Sequence, residues 1–233
     1  MSTTLAAMVT RLQISLNDEG AATWDTEMIA TFLNDAIRDY SNHFPLQSTD
    51  TIAMTTGTAE YDLNTDFLGV ISVEYPDGED PREYMIKRPY THPDFWTVEG
   101  YYDILHNDDD TNPSQIIFSS AVLTTKNAVI EYHAHHALIA NTASISGTNT
   151  VPPHHQHLLV HFVRWQSSLH LASAEQQSPT SNSSLLMAQL AQNARRNELS
   201  YATAVQQAIF ESEARESIKQ PWTVKGTGVG RIY

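Results

Sequence analysis

The period of the apolar residues changes twice along this 233-residue chain, and this limits its possible folds more than any other feature. Near the start, residues 3–17 and the segment WDTEMIATFLNDAIRDYSNHFP, residues 24–45, have apolar residues at helical spacing. Asp25 precedes the second stretch as a candidate N-cap, and Pro45 follows its last turn. We therefore predict a helical hairpin over residues 1–48.

In the middle of the chain the apolar period becomes two. The segments TIAMTTGTAEYDL, GVISVEYP and SQIIFSS are rich in Thr, Val, Ile and Tyr, and Gly, Pro, Asn and Asp separate them. Such short alternating segments are typical of antiparallel strands. We predict that residues 49–140 form a β-subdomain inserted between helical segments.

The helical period returns over residues 150–217, after a linker rich in Ser, Thr, Asn and Gly. The first helix, near residues 154–175, is apolar around most of its circumference, which predicts neighbours on more than one side. A longer helix follows over residues 183–217, with a predicted inward face made of Leu186, Leu190, Ala194, Tyr201, Val205 and Ala208. The predicted class is α+β: a bundle of about four helices, the inserted antiparallel β-subdomain and an extended C-terminal arm over residues 218–233.

Composition excludes several classes of function. Lys and Arg number 13 and Asp and Glu number 27, so the net charge of −14 opposes binding along a nucleic-acid backbone. The chain has no cysteine, which removes disulfides and thiolate chemistry and leaves only His, Asp and Glu as candidate metal ligands. No apolar run reaches the roughly 18 residues that a membrane helix needs, so we expect a soluble protein.

Histidines are concentrated on both sides of the linker. His154, His157 and His161 fall within about 60° of one another on a helix that begins at Pro153, and His133 and His135 share one face of a strand. This spacing permits a metal site and hence a metalloenzyme. No acidic residue stands beside the helical histidines, however, so we favour amphipathic side chains that pack at a seam between subdomains or subunits.

Aromatic residues are concentrated in the segments YPDGEDPREY and PYTHPDFWTVEGYYDI of the predicted β-subdomain. Trp96, Tyr101 and Tyr102 could form a glycan-binding platform or a contact surface for another protein. The alternative is that they belong to the core and turns of the subdomain. If these residues do form a binding surface, we favour another protein over a glycan as the partner.

The predicted arm has a chemical character of its own. It has no acidic residue after Glu216, whereas Lys219, Lys225 and Arg231 are cationic. Alternate apolar residues and three glycines favour docking on a partner by strand addition or by filling a groove. The predicted partner-binding residues are Trp222, Val224, Lys225, Arg231, Ile232 and Tyr233.

The chain contains, in order, the helical hairpin, the β insertion with GTAEYDLNTDFLGVISVEYPDGEDPREY and GYYDI, the segment VPPHHQHLLVHFVRW and the long helix. This arrangement resembles that of the head-to-tail adaptor, or connector, proteins of tailed bacteriophages. The resemblance covers most of the chain. It lies in the order of the elements and in the wording of short sequence segments such as those quoted, and it includes no catalytic motif.

The resemblance implies a structural protein of the virion neck, present in the host cytoplasm during assembly, with no enzymatic activity and no cofactor. It implies a ring of about twelve copies below the portal, with the arm on the portal protein, a tail or tail-completion protein on the other side, and DNA passing through without sequence-specific binding. No membrane partner is expected. His157, His161 and Trp165, on the helix that is apolar all round, are the predicted subunit-interface residues.

Overall fold

The computed structural model describes residues 4–20, 23–106, 113–119, 126–142, 145–177 and 183–219. Within these ranges the chain forms four α-helices and seven β-strands, so the predicted α+β class is confirmed. Contacts between residues divide the chain into two compact units, Met1–Ile14 with Asp18–Val151 and Ser15–Asn17 with Pro152–Tyr233. Residues 220–233 of the predicted arm lie outside the described residues.

Two helices begin the first unit, α1 (Leu5–Ser15) and α2 (Thr26–His43). The predicted N-cap is confirmed: the Asp25 carboxylate accepts a hydrogen bond of 2.6 Å from the backbone N–H of Met28. Helix α2 ends where Phe44 N–H donates to Tyr40 O at 2.8 Å, directly before Pro45. Most of the apolar residues at helical spacing are buried, namely Leu5, Met8, Val9 and Leu12 on α1 and Ile29, Leu33, Ala36, Ile37 and Tyr40 on α2. Leu16, Met28 and Phe32 are half-buried.

The seven strands form two sheets. In the first sheet β1 (Leu46–Ile52), β7 (Ala128–Ala134) and β3 (Phe67–Glu74) lie in the order β1-β7-β3 and are antiparallel. In the second, the order is β2-β6-β5-β4, formed by β2 (Glu60–Asp62), β6 (Gln115–Phe118), β5 (Tyr101–Leu105) and β4 (Ile86–Lys87).

One strand pair departs from the predicted antiparallel arrangement. Strand β4 runs parallel to β5, with Ile86 opposite Tyr101 and Lys87 opposite Tyr102. Parallel neighbours require a crossover of a dozen or more residues, and residues 88–100 provide it. The β-subdomain is therefore one antiparallel sheet and one mixed sheet.

Apolar side chains from both sheets meet in one hydrophobic cluster. Its centre includes Val73 and Ile130 from the first sheet and Ile116 and Phe118 from the second, all essentially buried. Tyr132 of β7 reaches out of this cluster, and its hydroxyl accepts a hydrogen bond of 3.0 Å from Asn64 Nδ2. Burial of the alternate residues of β7 explains the period of two in its sequence.

The second unit contains the two remaining helices, α3 (Gln156–Gln177) and α4 (Ser183–Lys219). Helix α4 has 37 residues and is about 55 Å long. Ala194, Val205 and Ala208 of its predicted inward face are buried, whereas Leu186 is exposed. The prediction for Leu186 is thus wrong, since helical spacing gives its direction but not how far along α4 the packing extends.

The end of α4 differs from the predicted boundary between the helix and the arm. Residues 218 and 219 belong to α4 and not to the arm, because no helix-breaking residue occurs before Pro221. The assignment of residues 1–48 and 150–217 to a single bundle, around an insertion at 49–140, stays a prediction. Among the described residues, no helix is both long and apolar enough to cross a membrane.

Candidate functional site

The histidine-rich segment forms the turn that leads into α3. Backbone hydrogen bonds of 2.9 Å join His155 N–H to Pro152 O and Leu158 N–H to His155 O. The rings of His154 and His155 meet edge to face, with their centroids 4.3 Å apart. His157 turns back on this segment, with Nδ1 2.8 Å from His154 O.

His155 is the buried member of this group. Burial, followed by the positive charges of His154, His157 and Arg215, lowers its pKa to about 4, against an opposing effect from Glu211. The side chain is therefore neutral at physiological pH. A guanidinium nitrogen of Arg215 lies 3.4 Å from His154 Nε2, which places the positive charge of Arg215 close to the histidine-rich turn.

The predicted pair of His157 and His161 does come together. Their ring centroids are 6.2 Å apart and the rings are perpendicular. His161 Nδ1 lies 3.2 Å from the Ser200 hydroxyl, which links α3 to α4. Burial, followed by the charges of His157 and Arg164, lowers the pKa of His161.

These contacts suit packing better than metal binding. The Nδ1 atom of His157 is directed at the backbone carbonyl of His154, and that of His161 is directed at the Ser200 hydroxyl on α4. Within the part of the chain that the structure describes, no group of three or more His, Asp or Glu side chains is arranged to hold a metal ion.

Trp165 belongs to an aromatic cluster between the two helices. Its ring is nearly parallel to that of Tyr201, at an interplanar angle of 14° and a centroid distance of 6.1 Å. Phe162 meets Trp165 and Tyr201 edge to face, at 5.4 and 5.3 Å. This arrangement is a favourable one for aromatic pairs and holds α3 against α4. The role of His157, His161 and Trp165 at a subunit interface stays a prediction.

The histidines in and directly after β7 have contacts of their own. His133 lies on β7 opposite Gln47, and His135 follows the strand, where its N–H donates to Asp66 O at 2.8 Å. His136, the next residue of this histidine-rich segment, is the buried one. Its Nδ1 lies 2.9 Å from the Thr150 hydroxyl and its Nε2 3.0 Å from Phe44 O, and burial is the main cause of its lowered pKa. This ring ties the end of α2 to the segment after β7.

The proposed glycan platform does not form as one surface. Trp96 is 54% exposed, but Tyr102 is only 6% exposed and belongs to the core. The guanidinium of Arg88 lies 4.5 Å from the centre of the Tyr101 ring. Only one of the three predicted rings therefore presents an open face.

A different set of exposed side chains occurs around this segment, and we call it the apolar patch. It is connected to β5 by hydrogen bonds: Ile86 N–H donates to Gly100 O at 2.9 Å, and Tyr90 N–H donates to a carboxylate oxygen of Asp103 at 2.9 Å. Phe95 is fully buried and anchors the intervening loop. The members of the patch are Tyr84, Ile86, Tyr90, Trp96 and Val98, all exposed.

Charge is distributed unevenly between the units. Residues 1–151 have 22 acidic and 6 cationic residues, a net charge of −16, whereas residues 152–233 have 5 and 7, a net charge of +2. The sequence allowed this count, but only the boundary near Val151 shows that the division follows the structure. The negative charge is thus a property of the first unit alone.

The predicted partner-binding residues lie outside the described residues; they are Trp222, Val224, Lys225, Arg231, Ile232 and Tyr233.

Comparison with known proteins identifies the family of the chain. No curated protein matches the chain. The family model described as SU10 adaptor protein matches residues 3–218, nearly the whole of the described chain. The chain therefore belongs to the SU10 adaptor protein family, which confirms the resemblance to phage head-to-tail adaptors and identifies a bacteriophage structural protein.

Proposed function

We propose that this protein is a ring-forming head-to-tail adaptor that docks on the portal and connects it to the tail. The family match over residues 3–218 is the observation that carries the proposal. The protein acts as a structural component of the virion neck, without catalysis, and is present in the host cytoplasm before assembly. Its partners are further copies of itself, the portal protein and a tail or tail-completion protein.

Helix α4 supports ring formation. Leu199 is 61% exposed and Phe210 is 71% exposed, and each follows a buried residue of α4, Ala194 or Val205, by five positions. Five residues correspond to about 140° around a helix, so both side chains lie on the side facing away from the buried contacts with α3. A neighbouring copy covers this face in a cyclic, heterologous interface, whose other, unlike surface includes His157, His161 and Trp165 of α3.

The negative charge of the chain supports passage of DNA through the ring. The net charge of −14 provides no cationic track that would hold the phosphate backbone, and repulsion lets the duplex slide. DNA therefore contacts the ring without sequence-specific binding.

Residues 220–233 form the portal-docking arm of the assembled ring. The experiment deletes residues 221–233 and mixes the purified protein with its portal, followed by electron microscopy of the complexes. Loss of rings on portals with the fold intact is expected. Unchanged assembly of rings on the portal would refute the arm assignment.

A further inference from the structure

The apolar patch lies within an acidic segment of the first unit. From Glu74 to Asp103 there are eight acidic and three cationic residues, a net charge of −5. Five large apolar side chains are exposed within the fifteen residues 84–98, and such local concentration, unlike single scattered residues, indicates a protein-contact surface. The surrounding negative charge favours an occupant that is cationic as well as apolar.

The patch is held in place by its own contacts. Arg88 bridges the stem of the loop, since its guanidinium stacks on Tyr101 and lies 3.5 Å from a carboxylate oxygen of Asp94. The following turn is closed by Val98 N–H, which donates to Asp94 O at 3.1 Å. Trp96 therefore stays exposed on a defined turn, at little further entropic cost on binding.

One segment of this chain has the complementary chemistry. Residues 219–233 have three cations and no acid, and they include Trp222, Val224 and Ile232. Residues 220–233 span up to about 46 Å when extended, which allows the segment to reach beyond its own helix. Elsewhere the chain is acidic, as in the first unit, or balanced in charge, as in residues 152–218 with four cations and five acids.

We propose that, before the portal is bound, residues 221–233 of a second copy occupy the apolar patch of the first unit. The apolar side chains of this segment cover Ile86, Trp96 and Val98, and its cations are placed among the acids around them. The proposal rests on the proposed function, because it describes what the portal-docking arm contacts before it meets the portal. A contact between unlike surfaces of two copies repeats around a ring, as cyclic assembly requires.

The test is photo-crosslinking in the free, full-length protein. The photoreactive amino acid p-benzoylphenylalanine replaces Val98 in one variant and, as a control at an exposed position outside both the apolar patch and the proposed ring interface, Ile14 in a second. Copies labelled with nitrogen-14 and nitrogen-15 are mixed at equal concentration before irradiation. Products are mapped by mass spectrometry.

From position 98 we expect crosslinks to residues 221–233, with light–heavy pairs in about half of the products formed between copies. The double variant Lys225→Glu and Arg231→Glu should lower their yield about tenfold, while Arg196→Glu, a charge reversal on exposed α4, should leave it unchanged. Absence of arm crosslinks, crosslinks only within one copy, or equal yields in the two charge variants would overturn the proposal.

Adding portal in excess separates this inference from the proposed function. The crosslink should disappear as the arm moves to the portal. If the arm crosslinks to the patch but never supports rings on the portal, the proposed function fails. If rings assemble through the arm and no crosslink to the patch forms at any stage, only the present inference fails.

Discussion

The pH dependence of the helical pair can be predicted from His155. Burial, with the nearby positive charges of His154, His157 and Arg215, lowers the pKa of this side chain from 6.5 to about 4. The unfolded chain therefore takes up a proton before the folded chain does. The stabilisation is complete above the unfolded pKa and is lost as the pH falls from 6.5 towards 4.

The size of the effect follows from the two pKa values. Between about pH 8 and about pH 5.5, the difference in protonation lowers the free energy of unfolding by about 1.4 kcal/mol. His161 and His136, whose pKa values are also lowered, act in the same direction. The assay is urea unfolding at the two pH values, followed by circular dichroism at 222 nm.

A variant isolates the contribution of His155. In His155→Gln the change in unfolding free energy between the two pH values should shrink by about 1.4 kcal/mol, whatever the absolute stability of the variant. His170→Gln, at an exposed position on α3, serves as the matched control. If His155→Gln shows the full pH dependence of the unmodified protein, the assignment to a buried neutral imidazole is refuted. Ring assembly should also weaken at about pH 5.5.

Three further perturbations have defined outcomes. Phe162→Ala should destabilise the α3–α4 pair by about 3 kcal/mol in urea unfolding, since its buried ring packs against Trp165 and a second aromatic ring on α4. Asn34→Ala removes both hydrogen bonds to the backbone of Ile139, at 2.8 and 3.0 Å, and should lower the melting temperature through a loss of about 2 kcal/mol. Elemental analysis of protein purified without a histidine tag should find less than about 0.1 equivalents of zinc, iron or manganese.

Controls make these outcomes decisive. Leu169→Ala, at an exposed position on α3, should cost less than about 0.5 kcal/mol, and an equal loss in this variant and in Phe162→Ala would contradict the packing argument. Native stability in Asn34→Ala would show that the bonds to Ile139 contribute nothing. About one equivalent of bound metal, lost on substitution of His157 and His161, would support the metalloenzyme alternative.

Local features of the fold were predictable because local sequence determines them. Apolar spacing located the four helices, Asp25 was identified as an N-cap by its position, and Pro45 marked the end of α2. Alternation located the strand-forming region. These signals depend on residues a few positions apart, which a single sequence displays directly.

Strand pairing and exposure were not predictable in the same way. Strand β1 pairs with β7 across about 80 residues, and the two residues of β4 are too few to show any period. Tyr102 and Trp96 look alike in sequence, but only the register of β5 against β6 directs Tyr102 into the core. The open patch around Trp96 therefore required the structure, whereas the histidine pair of α3 followed from its i, i+4 spacing.

The proposed role requires that the protein form rings and that these rings bind the portal. Electron microscopy of the purified full-length protein, alone and mixed with its portal, tests it most directly. Closed rings centred on the portal axis are expected, with an open channel wide enough for duplex DNA. Single copies that neither close into rings nor bind the portal would contradict it.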